Sequence, residues 1–510
     1  MTADDRARDA GAEARGIGVN LLTLLAQASL PAFHVQLARL LGPGDYGLYS
    51  MANKLVDMAS VLTLLGMDLV VTRQGSLAHA NRDTPAAVRA TGTALRVVLA
   101  SGALVALGTA LGAPYIAQVL HKPGLVTPLR TLVLVPIGYH AATMFLLATQ
   151  ARMVMKYDFW LRGLFQPLTL LALSTLALRA GAGLAGACAA VALGMTLTAL
   201  LGAYFYGREL PLGPTLSRAL RGPVDWALVR QGLPMVGLSL VWVLQGGLDV
   251  VFLGRFGPRQ ETDVGVYNAC LVYVISLNQT RGAFYPIVSA RLPALLAAGD
   301  RAATNAFVQR QQRWVAALAT PLAVLFAGFG DGLLAVFGGG FTRGASALAV
   351  LAVGQLAGAL AVPAYALLFG GNGRYSAYAG LLCVAVQLSV LGPLCQRYGP
   401  LGAALGASAG MVTAQVFQHW SAWRLHGVHG FSRALGKVFV SSGAGLLVGR
   451  ALFQWLPLGL APRFFLGVGA AAAVYLAALV ALGLEAEERA LLGSAWRRLK
   501  AAVATLRGKR

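Results

Sequence analysis

The stretch Gly183 to Tyr206, GLAGACAAVALGMTLTALLGAYFY, carries no charged side chain. As a helix rising 1.5 Å per residue it would extend about 36 Å, enough to cross the ~30 Å hydrocarbon core of a bilayer. A soluble helix of that length would need a charged face opposite its apolar stripe, and this one has none. Lipid offers no partner to backbone N–H and C=O groups, so a long unbroken apolar run spans it as a helix.

Runs of this kind recur on both sides. Before it lie about Ile17 to Leu41, Gly47 to Val71, Val88 to Gly112, Pro128 to Thr149 and Trp160 to Leu178, making six in all. After a polar linker, Gly207 to Arg230, six more cover about Gln231 to Arg255, Val264 to Ser289, Arg313 to Gly330, Ala345 to Phe369, Tyr375 to Cys395 and Leu401 to Trp423. Lys437 to Leu458 and Phe464 to Leu484 bring the total to about fourteen predicted transmembrane helices.

Composition agrees. Only 12% of the 510 residues are charged and 57% are hydrophobic, with a mean hydropathy of +0.66, whereas soluble domains carry about 25% charged residues. The net charge of +22 would suit nucleic acid if it were gathered on one soluble module, but the basic residues are scattered between membrane-length runs. They read instead as topology. With the N-terminus inside, about 28 of the 41 Lys and Arg fall in cytoplasmic segments, about 8 in external ones and about five within helices. The external loops, with little positive charge, include Gly42 to Tyr46, Ala113 to Thr127 and Gly338 to Gly344.

The first residues, Met1 to Gly16, mix acidic and basic side chains, and the run that follows outlasts a signal peptide's apolar region, so no cleavage is expected. The expected division is a cytoplasmic tail at 1–16, a first six-helix lobe at 17–206, a cytoplasmic linker at 207–230 and a second six-helix lobe at 231–423. Two additional helices at 437–484 and a cytoplasmic tail at 485–510 complete it. In that tail Leu492, Trp496, Leu499, Val503 and Leu506 recur at helical spacing among Arg497, Arg498, Lys500 and Arg507, the pattern of a basic amphipathic helix on the inner leaflet.

A single offset of 218 residues brings the halves into register. Gln27 falls on Gln245; Asp45, Gly47 and Tyr49 on Asp263, Gly265 and Tyr267; Arg73 on Arg291; Lys156 and Tyr157 on Arg374 and Tyr375; Arg179 on Arg397. Matches of such residue types at one offset indicate two structural repeats. Six helices per repeat is an even number, so both halves enter from one side and are related by an axis along the membrane normal, as in transporters with a path between lobes. The fold class is therefore an all-α polytopic membrane protein of two parallel six-helix repeats plus two C-terminal helices.

Charged side chains inside a bilayer cost on the order of 3 kcal/mol each and tend to face a wet cavity or a partner. The cationic set is Arg39, Lys54, Arg96, Arg281 and Arg450; the anionic set is Asp57, Asp68 and Asp249. A cavity with that balance favours an anionic substrate. Helical spacing groups Asn20, Thr23, Gln27 and His34 in the first helix, and Lys54 with Asp57, and Asp68 further along, in the second. In the eighth it groups Tyr267, Leu271, Val274, Asn278 and Arg281. Arg281, Lys54, Arg39, Arg96, Gln27, Gln245 and Asn278 are the candidate cavity residues, and Asp57, Asp68 and Asp249 the candidates for ion coupling. Arg39, Arg96 and Arg255 lie near helix ends, where snorkelling to the interface explains them equally well. Lys54 and Asp57 are also spaced for a structural ion pair, and Arg450, outside the repeats, has no clear role in the sequence.

Gly402, Gly406 and Gly410 recur every four residues in the twelfth helix, the pattern of close helix packing. Cys188, Cys270, Cys383 and Cys395 lack CxxC spacing, and His426 with His429 lie in a short loop without a further ligand, so no metal or disulfide framework is expected. No phosphate-binding GKS or GKT loop, HExxH or GxSxG triad pattern occurs, so neither an ATP-driven pump nor an enzyme is indicated. No cofactor is called for, and a proton or sodium gradient is the candidate energy source.

Ala38-Arg39-Leu40-Leu41-Gly42-Pro43 followed by Asp45-Tyr46-Gly47-Leu48-Tyr49 resembles the opening of the polysaccharide biosynthesis family of Wzx-type lipid-linked oligosaccharide flippases. The second half echoes it in Asp249 to Gly254 (DVVFLG), Val264 to Tyr267, Tyr285, Pro286 and Ser289, and Tyr398-Gly399-Pro400-Leu401-Gly402 fits the family's YGxxG between two helices. The resemblance spans roughly residues 15 to 425. It implies a plasma-membrane transporter with both termini cytoplasmic, moving a polyprenyl-pyrophosphate-linked glycan outward by alternating access. Membrane lipids, a polysaccharide polymerase and assembly machinery are the implied partners, and no nucleic acid. The multidrug exporters and lipid II flippases of the same superfamily are the near alternatives; the former should carry an acidic cavity, and here intramembrane Arg and Lys outnumber Asp. A membrane glycosyltransferase or ligase would need a catalytic carboxylate beside a large external loop, and Ala113 to Thr127 contains neither Asp nor Glu.

Overall fold

A computed structural model describes residues 29–483, and among them regular structure is helical with no strand. In chain order the helices of the first half are α1 (Ser29–Leu64), α2 (Met67–Ala80), α3 (Thr84–Leu120), α4 (Pro123–Gln150), α5 (Lys156–Arg179) and α6 (Gly183–Gly207). α7 (Leu212–Arg221) crosses the linker. The second half holds α8 (Trp226–Gln245), α9 (Leu248–Phe256), α10 (Glu261–Ala297), α11 (Arg301–Gly328), α12 (Gly330–Ala335), α13 (Ala345–Ala359), α14 (Ala364–Phe369), α15 (Arg374–Tyr398) and α16 (Pro400–His426). α17 (Arg433–Trp455) and α18 (Leu460–Ala481) follow.

Among the described residues, eight helices are long and apolar enough to cross a membrane, or ten if two bent pairs each count as one span. The expected seventh and tenth spans are each divided, at Gly246–Gly247 between α8 and α9 and between Ala359 and Ala364. Several predicted loops are helical instead. The chain re-enters a helix directly after Gly42, whose φ of 73° marks the break within α1, so Gly42 to Tyr46 is a sharp corner. α3 runs through much of the expected external loop, and α7 occupies much of the expected linker. Helix starts also reach beyond the apolar runs where a side chain caps them. Asp83, Asp225, Asp300 and Ser432 accept from backbone N–H groups at the starts of α3, α8, α11 and α17. A capped helix continues into polar sequence that hydropathy alone leaves out.

The repeat is visible in the backbone. Left-handed residues recur at the same offset: Gly42 with Gln260, Met153 with Gly371, and Gly181 with Gly399. Equivalent chain reversals thus take a positive φ in both halves although only the last pair keeps glycine.

The largest apolar core joins the halves, running from Phe33 and Tyr46 through Tyr267, Val274 and Leu292 to Phe341 and Leu348. A second core of Met67, Val98, Met144 and Tyr206 belongs to the first half. Leu104, Leu111, Leu200, Leu447 and Phe465 are exposed, as lipid-facing side chains should be. Gly402, Gly406 and Gly410 lie against α15, where an added Cβ would overlap Leu394, Leu391 and Gln387 respectively. The four cysteines are buried and free.

Candidate translocation site

The halves meet at the end that holds the Gly42 and Gln260 corners. A Cβ on Gly47 would overlap the Glu261 carbonyl, and one on Gly265 would overlap the Pro43 carbonyl. Because 47 and 265, and 43 and 261, are equivalent positions, this crossing of α1 and α10 is two-fold symmetric. Around it Asn268 Nδ2 donates to Tyr46 Oη at 2.8 Å, Arg39 Nε donates to the Val336 carbonyl at 2.6 Å, and Phe341 stands edge-on to Tyr46.

Two ion pairs flank the crossing. Lys122 Nζ stands 3.1 Å from Glu261 Oε1, with the lysine side chain 1% exposed and the glutamate 30%. Arg343 Nη2 stands 3.2 Å from Asp263 Oδ1. Burial pushes the Lys122 ammonium below the ordinary lysine range, with Glu261 and Asp263 opposing the shift. Arg343 is likewise lowered by burial, with Asp263 opposing.

A second contact joins the halves. Beyond the Leu65–Gly66 break, where α1 and α2 bend by 45°, Gly66 lies against the backbone of Gly232, and Gln74 Nε2 donates to Gln231 Oε1 at 2.9 Å. The α1–α2 pair therefore forms a wall shared by both contacts.

Between these contacts lie the intramembrane charges. Asp57 accepts from Asn53 Nδ2 at 3.3 Å, and Lys54 acts electrostatically on both Asp57 and Asp249. Asp249, 4% exposed, accepts from Tyr267 Oη at 2.6 Å and from the Val250 N–H at 2.8 Å. Asp68 is carried past the bend into the first turn of α2 rather than following Lys54 and Asp57 along one straight face. Asp68 and Asp249 thus both occupy the first turn of a half-helix after a break, where the helix N-terminus favours negative charge.

The α10 stripe turns into the second half. Asn278 Nδ2 donates to Gln355 Oε1 at 2.5 Å, and the Arg281 guanidinium lies over the Tyr365 ring, 5.7 Å from its centre. Tyr285 packs against both Tyr365 and Phe369, so Arg281 sits at an aromatic cluster. Gln245 presents its carbonyl to Gln387 Nε2 at 3.2 Å. Arg96 donates to the Gly222 carbonyl in the linker, and Arg39, exposed, to the carbonyl noted above. Gln27, with Asn20, Thr23 and the tail at 485–510, lies outside the described residues; His34 contacts Tyr46 Oη through Nδ1 at 3.2 Å. Arg450 donates to the Gly328 carbonyl at 2.6 Å, closing the end of α11. His429 contacts Asn305 and Gln309, and His426 contacts Asn372.

One charged group was passed over in the sequence. Arg162 lies within a π-helical turn, Phe159–Phe165, pairs with Asp158 at 3.7 Å, donates to Thr143 Oγ1 at 2.8 Å and lies over Tyr139. The signal was its place inside the apolar run from Trp160 to Leu178.

The polysaccharide biosynthesis protein family model matches residues 14–298, more than half of the chain. No curated protein matches it. Among solved structures, the lipid II flippase MurJ in an inward closed conformation aligns with a TM-score of 0.67 at 11% identity, covering 90% of this chain and 98% of that one. An inward-facing multidrug resistance MATE family transporter of the MOP superfamily aligns with a TM-score of 0.61 at 16% identity, covering 81% and 99%. A MATE structure in the bent conformation gives 0.52 at 14% identity, covering 82% and 99%. At these identities the likeness is one of fold, and it is the fold read from the two repeats. The chain is a multi-pass membrane protein that belongs to the polysaccharide biosynthesis protein family.

Proposed function

We propose that this protein flips a polyprenyl-pyrophosphate-linked oligosaccharide, a precursor of polysaccharide or O-antigen, from the inner to the outer leaflet of the plasma membrane by alternating access. Family membership and a fold shared with a lipid II flippase support the class of activity. The observation that carries the substrate reading is Arg281, a guanidinium on a helix of the repeat interface set against Tyr365, Tyr285 and Phe369. Guanidinium forks suit a pyrophosphate, and aromatic faces suit the apolar faces of sugars. Lys54 is the second candidate for the head group, while Arg39 and Arg96 are committed to backbone carbonyls. In this reading both termini lie in the cytoplasm and the symmetric Gly47–Gly265 crossing lies on the outer side. A polymerase downstream would take the flipped glycan.

Reconstitution into liposomes with a fluorescent polyprenyl-pyrophosphate glycan on one leaflet tests this. Protein-dependent transfer that falls at least about tenfold in Arg281→Ala is expected. No transfer, with efflux of an organic cation instead, would assign the chain to the exporter branch. Asp57, Asp68 and Asp249 are proposed to couple transport to an ion gradient; in the triple Asp→Asn variant, pH and sodium dependence should disappear. Unchanged dependence would remove these carboxylates from coupling.

A further inference from the structure

The linker helix α7 is built onto the first half as a fixed platform. It packs on α3 at Gly92, where an added Cβ would come within 3.1 Å of the Arg218 side chain and the Thr215 carbonyl. The Tyr206 and Thr215 hydroxyls are 2.8 Å apart, and Arg96 donates to the Gly222 carbonyl just past the helix end. Leu212, Leu216 and Ala219 face the core of the first half.

Between α7 and the start of α3 opens a cleft of about 720 Å³ whose lining includes Arg89, Arg218, Arg221, Ser217 and Thr84. Arg218 Nε is buried without a hydrogen-bond partner. Among the described residues, no carboxylate forms an ion pair with Arg89, Arg218 or Arg221. The acids nearby in sequence are engaged elsewhere: Asp83 with the Ala86 N–H at 2.9 Å, Glu209 with the Tyr157 hydroxyl at 2.9 Å, and Asp225 with the Ala227 N–H at 3.2 Å. Three guanidinium groups around an open cleft with no carboxylate partner offer a site to an anion, and their fork geometry matches phosphate oxygens.

The surroundings identify the source. α7 is strung between the apolar spans α6 and α8, and α6 ends in Tyr204-Phe205-Tyr206, an aromatic terminus suited to the membrane boundary. Close to Arg221 in sequence, Leu220 and Trp226 are 68% and 67% exposed. A soluble anion gives no use for those two side chains, whereas acyl chains would cover them while the headgroup fills the cleft. We propose that this cleft is a binding site for an anionic glycerophospholipid of the adjoining leaflet, distinct from the translocation site and independent of which substrate is carried.

Protein in nanodiscs of phosphatidylglycerol and phosphatidylcholine, with the retained lipid scored by native mass spectrometry, provides the test. The wild-type chain should retain phosphatidylglycerol preferentially, and Arg89→Gln with Arg218→Gln and Arg221→Gln should reduce that preference about tenfold or more. Inorganic phosphate should not displace the lipid. Arg221→Gln alone, at an exposed position, reports the same loss in part should the triple variant fail to fold. Wild-type preference in a folded triple variant, or in Arg221→Gln where the triple variant does not fold, would overturn the proposal. Displacement of the lipid by inorganic phosphate would also overturn it, making the cleft a site for soluble anions.

Discussion

Lys122 and Glu261 form a pair whose two members should respond differently to removal. The lysine is almost fully buried and the glutamate partly exposed, so the cost of the pair lies mainly in desolvating the ammonium. Glu261→Gln leaves that ammonium without its partner and should weaken the closed crossing by about 2 kcal/mol. Lys122→Met removes the buried charge and should change it by less than about 1 kcal/mol. Spin-label distances across α1 and α10 read both effects, and equal effects would refute the asymmetry. The pH dependence has a definite sign. Burial lowers the lysine in the closed form, so as pH rises toward the ordinary lysine range the closed form binds fewer protons than the parted one. Alkaline pH in that window should therefore favour closure, and the trend should vanish in Lys122→Met.

At the scale of elements, the break between α1 and α2 depends on Gly66. Its φ is 71°, and an added Cβ would overlap the backbone of Gly232. Gly66→Ala should therefore cost about 2 kcal/mol or more, combining left-handed strain with loss of the contact to α8. Gly108, within α3 and with open space around its Cα, offers the control: Gly108→Ala should be neutral or slightly stabilising. Thermal melting in detergent compares the two, and equal melting temperatures would show that the break does not need glycine. The interiors of the spans were legible in sequence because an apolar run needs no tertiary context to be read. Their ends were not, since a polar segment such as that following Asp83 is helical only once the cap is satisfied. Nor could the sequence place Asp249 against Tyr267 or Arg281 against Tyr365, because α9, α10 and α14 meet only in the folded bundle. Helical spacing put Tyr267, Asn278 and Arg281 on one stripe, yet spacing cannot say which neighbour a stripe faces.

At the scale of the whole molecule, the offset of 218 residues accounts for more than sequence matches. It reappears in the left-handed corners and in the crossing at Gly47 and Gly265. The other contact, at Gly66 and Gly232, lies at the far end of the α1–α2 wall. A transporter that opens alternately at its two ends would then break the Gly47–Gly265 crossing at one and the Gly66–Gly232 contact at the other.

The crossing also has a consequence for assembly. In it, position 47 meets 261 while 265 meets 43, so each half returns the close backbone approach that it receives. That is the isologous rule of a two-fold homodimer, written into one polypeptide. The covalent link between the halves supplies proximity rather than complementarity. If the chain is cut between Gly222 and Asp225 and the fragments are co-expressed, they should co-purify, and Gly47→Leu should abolish their association. The first half alone should pair weakly with a copy of itself, because half of the fit is already its own.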